Sequence, residues 1–485
     1  MSGRPMAAGI GRVLSTWLVM GVLVLPAAAQ YGGGAGTSDN PYLIFTAQQF
    51  RALASNPGDW DLHFRLMADL DLSSYGSAIP LMIGTSDDGA FTGTFDGNHK
   101  TISGFRRSSD SGSYLGLFGM VEGSRAHIRN VILRDPRVVS ETGRYLGALV
   151  GWLREGTIEN CHVRGGTVQA DSFVGGLVGR TEGGRVSDCT AEASVHGVSR
   201  VGGLIGESYF GTIERCRTAG ETWGPLSSIW IAGLIGSSRN ATVKECRACC
   251  IVQGDLYVGG LIGENLTATI DRCCTAGSVE GLDAVGGLVG QNSGGTVSDS
   301  YATAGVVGVT HVGGLAGCNG PSCQCAVYTP GVIERCYASG PVQGNSPGGL
   351  IGASGRSETH QSFWDIETTG CTQSAGGDGG TTKDLGSLTT YLAVGWDFVG
   401  ETRNGAKDIW CLPAGGGYPR LTWELGVSDL HADGRIDLRD FGRFAIWWRR
   451  ADTGLWSGDA CAAADGRVNA EDLKDLVQFW LAGRR

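Results

Sequence analysis

Residues Val258–Ala284 read VGGLIGENLTATIDRCCTAGSVEGLDA, and Val285–His311 follow at once with VGGLVGQNSGGTVSDSYATAGVVGVTH. Both open on a glycine-rich apolar hexad and carry a second apolar piece further on. Self-similarity at a fixed period marks a repeat architecture and is read before any motif. The leucine of each hexad dates the repeat: Leu149, Leu177, Leu204, Leu234, Leu261, Leu288, Leu315 and Leu350, with Leu117 in YLGLFG as a looser forerunner. The commonest step is 27 residues, stretching to 30 after Leu204 and to 35 after Leu315.

Neither piece of the unit is long enough for a helix. The hexad, the segment typified by GTIERC (Gly211–Cys216) and the run TAGSV (Thr275–Val279) are bounded by Gly, Ser, Asn and Thr. They read as strands of about four to six residues. One such unit cannot bury its apolar face alone, whereas a stack can, so the period suits one turn of a right-handed parallel β-helix. With turns ~4.8 Å apart, eight or nine of them make a column of roughly 40 Å.

Equivalent positions support stacking. Ile158, Val186, Ile213, Val243, Ile270, Val297 and Ile333 form one column; Cys161, Cys189, Cys216, Cys246, Cys273, Ser300 and Cys336 form another, three residues on. Two inward positions an odd number apart cannot share one unbroken strand face, so a corner or bulge is expected between them. The position before the Cys column runs Asp188, Arg215, Glu245, Arg272, Asp299, Arg335, with opposite charges on successive turns. The position before that runs Glu159, Ser187, Glu214, Lys244, Asp271, Ser298, Glu334, its acids on alternate turns and therefore ~10 Å apart, too far for a retaining glycosidase pair. Both read as charge ladders. The Cys column reads as buried thiols packing as small apolar groups, because stacked Cβ vectors are near-parallel and suit a disulfide poorly. Cys318, Cys323 and Cys325 lie in the longest insertion, where a local disulfide fits.

The flanks differ. Residues 1–29 carry Arg4 and Arg12, an apolar run Val13–Leu25 and Ala27-Ala28-Ala29, the pattern of a signal peptide removed on export. No long apolar stretch follows, so no membrane span is expected in the mature chain. A formal charge of −10 argues against nucleic acid as a partner. The block 30–113 is not repetitive and is expected to cap the column and begin its strands. In it Thr46 looks like the N-cap of a short helix with Phe50, Leu53 and Ala54 on one face, and Asp96-Gly97 like a hairpin turn.

GTSDNPYLIFTAQQFRAL, FRLMADLDLS, FTGTFDGNHKTISGF and YLGLFG together resemble the start of bacterial secreted proteins with GLUG motifs. The units over 114–361 resemble the GLUG repeat itself, and SFWDIETTG with GWDFVGETRNGAKDIW, within 362–424, the region that closes such arrays. The resemblance implies a β-helix-like solenoid on an exported protein. It implies no reaction, since the repeat has no catalytic residues of its own.

Residues 425–485 change character. Asp429, Asp433, Asp437 and Asp440 fall at loop positions 1, 5, 9 and 12, with Gly434 at position 6, offsets that wrap a hard cation in oxygens; the Arg435 carbonyl supplies position 7. A helical pattern Phe441, Phe444, Ala445, Trp448 follows, and Asp465-Gly466, Asn469, Asp472 open a second loop and helix. The pair resembles a small all-α, EF-hand-like type I dockerin, which implies Ca2+ binding and a cohesin-like partner. His431 stands at position 3, and Cys461 and Ala463 replace two ligands of the second loop, so one calcium site is expected and the second is degenerate. The whole reads as an exported, non-enzymatic β-helix for binding, adhesion or surface display, at the cell surface or in the medium. A polysaccharide or surface group is the expected ligand. The alternative is a polysaccharide-active lyase or glycoside hydrolase, an analogy of fold without a site; a third is a plain spacer.

Overall fold

The computed structural model describes residues 30–76, 81–320, 330–401, 403–405, 407–413 and 416–427. The signal-peptide pattern, the insertion holding Cys323 and Cys325, and the C-terminal module from residue 428 on lie outside the described residues.

Each repeat traces one turn of a parallel β-solenoid of about 10 turns. The turn containing the opening stretch shows the plan, with strands Leu256–Gly259, Ile262–Leu266, Thr269–Asp271 and Cys274–Glu280. The first kind stacks into a seven-stranded sheet and the second into a nine-stranded sheet; the last two share a 28-stranded sheet. Every marker leucine directly precedes a strand of the nine-stranded sheet, from Leu117 before Phe118–Glu122 to Leu350 before Ile351–Ser354, and every one is fully buried. Paired glycines let these turns approach. A Cβ on Gly260 would stand 2.0 Å from the carbonyl oxygen of Gly287, and one on Gly287 2.1 Å from that of Gly314.

The Ile/Val column stacks in unbroken register from Ile128 through Ile158, Val186, Ile213, Val243, Ile270 and Val297 to Ile333. The expected corner lies just after it. Asp188, Arg215, Glu245, Arg272, Asp299 and Arg335 all adopt a left-handed backbone, with φ between 46° and 56°. One such residue reverses the side-chain phase, so the Ile/Val and the Cys columns both face inward. For a non-glycine residue this conformation costs about 1 kcal/mol or more, and the buried columns on either side hold it.

The N-terminal block extends the same column. Tyr42 pairs with Phe64, Phe64 with Phe95 and Phe95 with Ile128, so three early strands lie in register beneath the repeats. The helix Ala47–Ala54 forms where expected: Thr46 and Gln49 make a reciprocal capping box, and Phe50, Leu53 and Ala54 are buried. The hairpin at Asp96-Gly97 does not form. Thr94–Ser103 is one strand, parallel to His127–Arg134, with a register shift between Asp96 and Lys100 where Asn98 and His99 take positive φ. Parallel pairing with the next turn satisfies the same backbone groups and buries Phe95 and Ile102, which outweighs the local turn preference.

Residues 362–424 fold back along the side of the column. Tyr391, Trp396, Phe398, Trp410 and Leu421 pack on the outward Tyr301, Tyr337 and Phe363. Tyr337 donates from its hydroxyl to the Pro419 carbonyl at 2.7 Å, and Trp423 from Nε1 to the Arg272 carbonyl at 2.8 Å. Glu424 reaches the Tyr301 hydroxyl at 2.8 Å and Arg247 at 3.4 Å. No helix among the described residues is long and apolar enough to cross a membrane.

Candidate functional site

The calcium ligands read from the sequence, Asp429, Asp433, Arg435, Asp437 and Asp440, lie outside the described residues. Among the described residues, no group of three or more His, Cys, Asp or Glu is arranged to hold a metal ion. The candidate surfaces are therefore the lateral faces of the column.

At the left-handed corner the charges pair as stacking dictates. Arg215 binds Asp188 through two bonds of 2.8 Å, Arg272 reaches Glu245 at 2.9 Å, and Arg335 binds Asp299 through two bonds of 2.8 Å. The neighbouring column is also in register, and its acids are engaged: Glu214 with Arg185 and Arg215, Asp271 with Ser298 and Arg272, Glu334 with Arg335. Paired in this way, the carboxylates act as cross-turn ties rather than as a general acid and base. Directly inside lies the thiol column, fully buried, with Cys161, Cys189, Cys216, Cys246, Cys273 and Cys336 as free thiols. Burial raises the pKa of Cys189, Cys246 and Cys336. Where serine replaces cysteine it takes the same slot: the Cys273 N–H donates to Ser300 Oγ at 2.9 Å and the Cys336 N–H to Ser362 Oγ at 3.1 Å. Cys318 is disulfide-bonded.

The outer surface of the nine-stranded sheet carries an aromatic stack that the sequence reading did not single out. The residue before each hexad is again left-handed, and there Tyr114, Tyr145, Phe173, Arg200, Trp230 and Tyr257 succeed one another. Tyr114 and Tyr145 stack at 5.0 Å and 10°, and Tyr145 and Phe173 at 4.6 Å and 27°. The Arg200 guanidinium lies 4.8 Å from the Phe173 centroid and 4.3 Å from that of Trp230. Beside the stack, Glu207 is held by Arg180 at 3.2 Å and Arg200 at 3.1 Å, and Glu264 by Arg239 and Ser237 at 3.1 and 2.8 Å. The ring faces are spent on one another, which makes this a stiffening spine.

A different arrangement occupies the outer surface of the 28-stranded sheet. Gln169, His196, Trp223, Gln253 and Glu280 succeed one another in register, beside a column containing Glu221, Ile251 and Ser278. Here His196, Glu221, Thr222, Trp223, Ile251 and Gln253 line an open groove of about 510 Å³. Trp223 is 43% exposed and Ile251 49%. The His196 ring meets the indole at 57° and 5.8 Å, so it does not cover the ring face as the stacked neighbours do on the other sheet. Gln253 donates to Glu280 at 3.0 Å. Burial draws the His196 pKa down, while Glu221 pulls it up.

With this geometry described, the chain can be compared with known proteins. The model of the GLUG motif matches residues 174–195 and 281–307, one turn each. Halomucin of Haloquadratum walsbyi is 34% identical over 157 residues, 31% of this chain; a candidate Gly-rich membrane protein of Evansella cellulosilytica is 36% identical over 137 residues, 27% of this chain. The matches span only 2% and 15% of the lengths of those two proteins. Among solved structures, the chain is similar to a candidate immunoglobulin A1 protease from Bacteroides ovatus, with 20% identity and a TM-score of 0.39, covering 81% of this chain and 96% of the other. The chain is thus a parallel β-solenoid that carries the GLUG motif on its turns.

Proposed function

We propose that the protein is an exported, non-enzymatic solenoid, wound right-handed, whose lateral face binds an extended ligand. In this reading residues 425–485 form a calcium-loaded dockerin-like module that attaches it to a cohesin-like partner, with Asp429, Asp433, the Arg435 carbonyl, Asp437 and Asp440 around one Ca2+. The observation that carries the binding role is the exterior of the 28-stranded sheet, where outward side chains repeat in register and open into the Trp223 groove. The paired state of the corner carboxylates favours binding over hydrolysis. The attachment role rests on the carboxylate spacing of the last segment, and export on residues 1–29.

The test is to incubate the full chain with neutral and acidic polysaccharides in the presence of calcium. Retention is followed together with new reducing ends and ultraviolet absorbance of unsaturated products. Retention without cleavage is expected, and cleavage of any glycan refutes the non-enzymatic reading. Titration with Ca2+ is expected to show one site that Asp433→Ala abolishes; no calcium uptake refutes the attachment module.

A further inference from the structure

The two aromatic faces of the column present their rings differently. On the nine-stranded sheet neighbouring rings stack at 10° to 27° and cover one another. On the 28-stranded sheet Trp223 stands alone, its nearest ring tilted by 57°, with nearly half of its surface open. Ile251 extends the apolar patch on the next turn, and around it His196, Glu221 and Gln253 offer hydrogen-bonding edges. An apolar plane fringed by planar polar groups matches a pyranose ring, which has a C–H face and a hydroxyl edge.

The surroundings narrow the ligand further. Along the axis the column Gln169, His196, Trp223, Gln253, Glu280 places one hydrogen-bonding or aromatic side chain per turn. Its five positions span roughly 19 Å at ~4.8 Å per turn, close to one position per sugar residue of an extended chain. Glu221 and Glu280 lie in the strip, and the chain carries a formal charge of −10, so a polyanion would meet repulsion here. From these features we infer that the Trp223 strip is a glycan-binding subsite for an uncharged, extended polysaccharide lying along the solenoid axis. Trp223 is the stacking platform, and His196, Glu221 and Gln253 orient the hydroxyls. This inference rests on the proposed binding function and names its site and ligand class.

The test measures retention of the full chain on cellulose, xylan and chitin, with polygalacturonate and alginate as charged counterparts. Retention on at least one neutral polymer is expected. Trp223→Ala should weaken it about tenfold, Gln253→Ala should weaken it less, and Trp223→Phe, which keeps a platform, should recover most of it. Trp152→Ala on the other sheet should leave it unchanged. Circular dichroism of each variant reports whether the solenoid is intact; Trp223 is half exposed, so its replacement leaves the core untouched. Neutral binding that survives both Trp223→Ala and Gln253→Ala overturns the subsite and leaves the binding function standing. Retention on the acidic polymers alone overturns the ligand class. Retention on none of the five overturns both.

Discussion

Replacing Asn292 with leucine tests the logic of the interior directly. Asn265, Asn292 and Asn319 form a fully buried amide ladder beneath the nine-stranded sheet. Asn292 Nδ2 donates to Asn319 Oδ1 at 2.9 Å and to the Gly295 carbonyl at 3.0 Å, and Asn265 Nδ2 donates to its Oδ1 at 2.8 Å. Leucine has the shape of asparagine, so Asn292→Leu removes the bonds without leaving a cavity. The Gly295 carbonyl keeps the Val332 N–H, so the groups left wanting are Asn319 Oδ1 and one N–H of Asn265. At about 1–3 kcal/mol each, the loss comes to ~3 kcal/mol. Turns touch only their neighbours, so the loss is local. Amide hydrogen exchange at Leu261, Leu288 and Leu315, which donate across these turns, should accelerate about 100-fold. Leu149 and Leu177, turns away, should hardly change. The triple variant Asn265→Leu, Asn292→Leu, Asn319→Leu removes donors and acceptors together and should be no worse than the single one. A single variant that exchanges within about threefold of the native chain, or a triple variant whose losses simply add, would refute the reasoning.

Two further outcomes are expected. Arg335→Ala leaves Asp299, whose side chain is 4% exposed, without its ion-pair partner and should lower stability by about 3 kcal/mol; Arg215→Ala, whose partner Asp188 is 39% exposed, should lower it by less than about 1 kcal/mol, and urea midpoints separate the two. His162, held neutral chiefly by burial and then by the charges of Arg164 and His99, has its pKa drawn down to about 4. Its unfolded value is about 6.5, so its contribution is complete above that pH and is lost as pH falls toward 4, by no more than ~3 kcal/mol. Denaturation midpoints at pH 7 and pH 4.5 should differ accordingly, and His162→Gln should shrink the difference.

What the sequence made legible is whatever depends on the repeat alone. Positions 27 residues apart become neighbours, so the Ile/Val column, the thiols with their serine substitutes, and the alternating Asp/Glu–Arg corner were all readable before any coordinates. The early strands hid because their steps are irregular: Phe64, Phe95 and Ile128 stack although they are not 27 residues apart. Asp96-Gly97 misled because a turn preference is local while the pairing that overrides it comes from the next turn. The asparagine ladder and the stack from Tyr114 to Tyr257 did leave a signal, a polar or aromatic residue recurring at one place in the unit. Whether such a column faces in or out depends on the left-handed corner between the sheets. The Trp223 groove had no signal, because its openness is a property of the neighbouring turns and not of the tryptophan.

Because the register is so strict, the molecule has a length that can change only in whole increments. An insertion shorter than a repeat is pushed out between strands, as the longer steps after Leu204 and Leu315 are, and leaves the stacked columns aligned. A duplication of one complete unit instead presents the same columns to both of its neighbours and adds ~4.8 Å to the reach of the protein. The fold therefore works as a ruler whose graduation is a single exon-sized stretch of chain. The distance between whatever its ends hold can be reset by copying that stretch, with no residue of the remaining turns needing to change.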